Sequence, residues 1–108
     1  MAVVKRRRVE EPAPPAEPHD IVSIRDATAR TRIKVAGEVT RMRARPTSGL
    51  PALAVTIDDG TGTATAVWTG RRSIGGITLG RSIVIDGVAV LHGTALEFTN
   101  PAYTLKPR

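Results

Sequence analysis

The sequence predicts an all-β chain closed into a small barrel, on three observations. Ala52 to Thr69 reads as a hairpin: Leu53, Val55 and Ile57 alternate with Ala54, Thr56 and Asp58, Asp59-Gly60-Thr61-Gly62 interrupts the pattern, and Thr63 to Trp68 resumes it. Thr31 to Arg43 alternates over an unusual length with Gly37 in its middle, which suits a strand bent to serve two sheet edges. Two further alternating runs, Arg81 to Val90 and Ala95 to Thr99, follow a Gly-rich connection.

With 108 residues there is room for one small core, and prolines at 12, 14, 15 and 18 shorten the folded part. Residues 1–19 pair the basic cluster Lys5 to Arg8 with three glutamates and the Pro-rich segment, a composition expected to stay a disordered arm, leaving 20–108 as the domain. The absence of Cys excludes disulfides and thiolate metal sites and suits a reducing cytoplasm, the expected location. No run of about 18 apolar residues occurs, so membrane insertion is not expected; docking of the basic arm on an anionic membrane rests on Lys5 to Arg8 alone.

The net charge of +6 and pI near 11.1 point to a polyanion such as nucleic acid. Thirteen of the sixteen basic residues are Arg. That bias favours forked contacts to phosphate, although GC-rich codons produce it too. Four basic and three acidic residues of the arm add only one unit, so the excess sits on the folded part.

In chain order, Asp20 to Ala29 fits either a short helical turn or an extended lead-in. Along the first strand Ile33, Val35, Gly37 and Val39 alternate with Lys34, Ala36, Glu38 and Thr40, and Gly37 suggests a bulge or a sharp coil. Arg41, Arg43 and Arg45 share one side if that strand runs on, before the turn-rich Pro46 to Pro51 loop. After the hairpin, Gly70 to Gly80 holds four glycines and the adjacent Arg71 and Arg72, too Gly-rich for a stable helix. The fourth strand then places Ile83, Ile85 and Val88 inward, the fifth ends before Pro101, and Tyr103 and Leu105 pack along the barrel's end. Five strands with a bent first member and a long third connection describe an OB-fold, a five-stranded Greek-key barrel.

Val35 to Val39, Ile57 to Trp68, Leu79 to Gly87 and Asn100 to Tyr103 (VAGEV, IDDGTGTATAVW, LGRSIVIDG, NPAY) resemble small stand-alone bacterial OB-fold nucleic-acid-binding proteins. They are also similar to the OB modules of RecG-type helicases and of lysyl or aspartyl tRNA synthetases. The resemblance implies binding of single-stranded DNA or RNA on the outer face of the second and third strands and on the loops around it. Carried to this chain, it implies Arg41, Arg43 and Arg45 in the first loop, Arg71 and Arg72 in the second and His92 in the third. The outer face would hold Lys34, Ala54, Thr56, Thr63, Thr65 and Val67. With Trp68, Phe98 and Tyr103 the only aromatics, stacking is sparse, and contact through phosphates with little base specificity is expected.

Trp68 alternates with Ala64 and Ala66 toward the core, and stacking on a base is its alternative role. Phe98, two residues after Leu96, reads as core. Asp58 and Asp59 sit where Asp bonds nearby turn amides, which outweighs a catalytic carboxylate pair. His19 and His92 lie far apart without metal-ligand spacing, and no serine sits in a nucleophile signature, so neither metal, cofactor nor enzymatic activity is expected. The alternative function is a protein-protein adaptor or self-associating module docking through Ala54, Thr56, Thr63 and Thr65.

Overall fold

The structure, a computed structural model, describes residues 20–46 and 48–107; the expected arm 1–19 lies outside the described residues. The β-branched and small residues of the alternating runs form strands β1 (Arg32–Ala44), β2 (Ala52–Asp58), β3 (Thr63–Thr69), β4 (Ser82–His92), β5 (Ala95–Thr99) and β6 (Ala102–Leu105). They hydrogen-bond in the order β1-β2-β3-β5-β4, and a β1–β4 pairing closes five of them into a barrel. All ladders are antiparallel except β3–β5, which are parallel from Ala64↔Leu96 to Val67↔Thr99. This is the Greek-key barrel the sequence predicts.

β1 makes closure possible because it serves two partners. Arg32 to Glu38 pair with β4, and Glu38 to Ala44 pair with β2. The register slips between Val39 and Arg41, so the bulge, one of the two features expected at Gly37, falls at Thr40, while the change of partner expected there does occur beside Gly37, at Glu38. Gly37 has another purpose. A Cβ there would lie 2.9 Å from the carbonyl oxygen of Asp58, so β2 can cross this close only over a residue without a side chain.

Two other expectations change, and one open alternative is resolved. The sequence places Val88 inward, yet it is 52% exposed, while Gly87 and Ala89 keep the inward parity of Ile83 and Ile85. Gly87 fits there because a Cβ would press on Pro101 and Phe98. Tyr103 and Leu105 belong to a sixth strand that pairs with Ile83 to Asp86, as β5 pairs with Ala89 to His92, so β6 resumes the same β4 edge beyond Asn100 and Pro101. The lead-in forms a 3-10 turn at Ile24–Asp26, one of the two conformations its sequence allowed.

One core fills the barrel, with Val35, Val55, Ile57, Ile83, Ile85 and Phe98 among its most buried members. Ile74 and Ile77 of the β3–β4 connection join it, so that Gly-rich loop plugs the barrel with two isoleucines in place of a helix. Trp68 is 6% exposed, packs edge-on to Tyr103 at 5.6 Å and donates its indole N–H to the Pro101 carbonyl at 3.1 Å. Its ring therefore offers no stacking platform, and the core alternative holds. The Asp58–Gly62 turn follows its sequence chemistry: Asp58 accepts from the Gly60 amide at 2.6 Å, and Asp59 accepts from the Thr61 amide and hydroxyl at 2.8 and 2.6 Å. Asp59 also reaches the Ile24 amide at 2.8 Å and so ties the lead-in to the barrel.

Candidate nucleic-acid interface

The outer face of β2 and β3 is built by strand alternation. Leu53, Val55 and Ile57 point into the core, so Ala52, Ala54, Thr56 and Asp58 point out; on β3 the outward set is Thr63, Thr65, Val67 and Thr69. Because β1 stays paired with β2 to its end, Arg41 lies opposite Thr56 and Arg43 opposite Ala54. Arg45 continues the row, its amide bonded to the Ala52 carbonyl at 2.9 Å. The three guanidinium-bearing residues thus stand on one edge of one face, in register with the Thr56 and Thr65 hydroxyls, which lie 3.5 Å apart.

The Arg71–Arg72 pair lies at the same end of the barrel. Gly70, at the start of the β3–β4 connection, donates its amide to the Pro51 carbonyl at 2.7 Å, fastening that connection to the β1–β2 loop. Arg72 lines a depression together with Ala44, Pro46 and Leu50. Arg41, Arg43, Arg71 and Arg72 are exposed, and none has an ion-pair partner among the described residues.

Lys34 does not join them. It pairs with Asp86 across β1–β4, on the stretch of β1 before the bulge, and so faces out from a different wall of the barrel. Asp86 is held there by Arg32 at 3.0 Å.

Glu97 is a residue that sequence reasoning missed. It lies opposite Thr65 on β5, on the outer face, and its side chain is only 10% exposed. The Arg45 guanidinium donates to its Oε2 at 2.7 Å, and His92 Nδ1 stands 4.0 Å from its Oε1. Neighbouring strands are about 4.8 Å apart, so an arginine anchored beside Ala52 reaches β5 only by passing over β2 and β3. On that path lie Ala54 and Val67, which with Ala52 form a second buried cluster outside the barrel. Apart from Lys34, the outer-face set expected from sequence is therefore placed on this face by parity, but two of its members, Ala54 and Val67, are buried. The acid is invisible locally because some 50 residues separate it from Arg45; a charged residue between Leu96 and Phe98 was the one available signal.

The candidate interface is thus an arginine edge (Arg41, Arg43), a hydroxyl floor (Thr56, Thr65) and a bridged carboxylate at the far side. No metal-binding group of three or more His, Cys, Asp or Glu exists among the described residues, nor is any described helix long and apolar enough to cross a membrane.

No protein-family model matches the chain, and no curated protein matches it significantly. Solved structures do. The OB domain of Ta0387 from Thermoplasma acidophilum, determined by solution NMR, superposes with a TM-score of 0.61 at 18% identity, over 82% of this chain and 88% of that one. The crystal structure of yeast Stn1 and Ten1 matches with a TM-score of 0.56 at 16% identity; there the match spans 71% of this chain but only 43% of the other. At such identities the likeness speaks to architecture, and together with the strand order it establishes that this chain carries an OB-fold.

Proposed function

We propose that the protein is a nonenzymatic module that binds single-stranded DNA or RNA through its phosphates, acting in the cytoplasm. The observation that carries this reading is that Arg41 and Arg43 line one edge of the β2–β3 face while the connection bearing Arg71 and Arg72 is fastened to the loop where that edge ends, all four exposed and without ion-pair partners among the described residues. Like charges held together cost the fold repulsion that a polyanion relieves. The sequence resemblance to small bacterial OB-fold nucleic-acid binders and to helicase and synthetase OB modules supports the same ligand. Arg45 is engaged with Glu97, and Lys34 and Trp68 lie elsewhere, so the phosphate path follows the β1 edge and the β3–β4 connection.

Fluorescence anisotropy with labelled oligonucleotides tests the reading. Affinity is expected to fall with salt by a log–log slope of about 0.7 per phosphate, so four contacts lose about fiftyfold over a roughly fourfold rise in salt. Replacing Arg43, Arg71 and Arg72 together with Ala weakens binding to all sequences alike and flattens the slope. An unchanged slope in that variant would remove the proposal. Light scattering on the same samples reads the adaptor alternative, whose docking face is reduced by the burial of Ala54.

A further inference from the structure

An OB barrel that binds single strands without an exposed aromatic on its face needs another surface for the bases. Trp68 and Phe98 are 6% and 1% exposed, and Tyr103, 38% exposed, stands on β6 beside Ile85 of β4, away from the β2–β3 face. Where the β1–β2 loop meets the β3–β4 connection, however, a depression of 310 Å³ opens between Pro46, Leu50, Pro51 and Arg72. That volume stands at the low end of the range for small-molecule sites, about 300–1,000 Å³, and admits one planar heterocycle. Leu50 lies 57% exposed at its wall, an apolar side chain that the core does not use. Among the described residues no acidic side chain lines the depression, and Arg43 precedes Ala44 of its wall.

These features match the two halves of a nucleotide. The proline and leucine carbons suit a base, and the arginines suit the phosphate attached to it. We propose that this depression seats one nucleobase of the bound strand, with the Arg72 guanidinium laid against the ring face; this deepens the single-strand reading above and rests on it. A guanidinium is planar, weakly hydrated and stacks on π-faces, which a Lys ammonium does not do. The seat recognises any base by its face, so it raises affinity without reading sequence.

The test compares an oligothymidylate with a strand of the same length whose nucleotides are abasic, which keeps every phosphate and removes every base. The wild type is expected to bind the intact strand about five- to 150-fold more tightly, the scale of one stacked base. Arg72→Lys, which keeps the charge, and Leu50→Ala each lower that ratio, whereas Leu79→Ala, at an exposed leucine outside the depression, leaves it alone. A wild type that binds both strands equally, or variants that keep the full ratio, would overturn the seat while leaving salt-dependent phosphate binding intact. Failure to bind either strand at any salt concentration would sink the seat and the phosphate reading together.

Discussion

The Arg45 guanidinium, on the loop after β1, lies 2.7 Å from the Glu97 carboxylate on β5, and the bridge crosses the outer face of the two strands between them. The bridge engages Arg45 and puts a negative group on the far side of a face proposed to meet phosphates, a face on which Ala54 and Val67 lie buried, while Arg41 and Arg43 stand exposed on the β1 edge.

Glu97→Gln keeps the shape and an acceptor for Arg45 while removing the charge. Affinity for single strands should rise roughly two- to tenfold, the scale of about 1 kcal/mol for a charge near the surface, with a steeper salt slope. Anisotropy titrations at two salt concentrations read both quantities, and equal or weaker binding would argue against repulsion by Glu97.

Arg45→Ala strands that carboxylate. Fully buried pairs lose about 3–5 kcal/mol when one partner is removed, but with the Arg45 side chain 43% exposed the expected cost is about 1–3 kcal/mol. Urea denaturation of single and double variants gives the coupling; the Arg45→Ala/Glu97→Gln double variant should recover part of the loss.

Acid stability centres on Asp59. Partial burial pushes its carboxyl up, but the hydrogen bonds from the Thr61 hydroxyl and from the Ile24, Thr61 and Gly62 amides outweigh this and hold its pKa at about 2. Its value in an unfolded chain is 3.8, so the stabilisation is fully present above pH 3.8 and is lost as pH falls through 2. Asp59→Ala should cost about 1–2 kcal/mol at neutral pH, and its melting curve should converge on that of the wild type between those two values.

Gly37→Ala places a methyl 2.9 Å from the Asp58 carbonyl oxygen. Backbone on both sides leaves little to yield, and a destabilisation of about 1–3 kcal/mol is expected from thermal melts.

Trp68→Phe removes the indole donor and leaves the Pro101 carbonyl without it, at a cost of about 1–3 kcal/mol in stability. Nucleic-acid affinity should stay the same, since the ring lies in the core. A drop in affinity at unchanged stability would reverse that assignment.

What the sequence determined by itself is what depends on near neighbours in the chain. Leu53, Val55 and Ile57 against Ala54 and Thr56, and Ala64, Ala66 and Trp68 against Thr65, declare their faces because side chains alternate with period two. Asp58 and Asp59 declare their turn because the turn amides they bond lie within three residues, whereas the bond from the Ile24 amide to Asp59 is not readable there. Tertiary structure decided the rest. Gly37 announces a constraint, but only the crossing of Asp58 shows that the need is space and that the slip belongs to Thr40. Val88 was misplaced because Gly87, which carries the inward parity, reads locally as an interruption, whereas in the fold Pro101 and Phe98 fill the space its side chain lacks. Arg45 and Lys34 look equivalent along the chain. One is drawn to Glu97 and the other turned to the β1–β4 wall, since β1 changes partners between them and closure of the barrel brings β5 beside β3. Strand pairing over tens of residues sets which charges meet, and no local pattern encodes it.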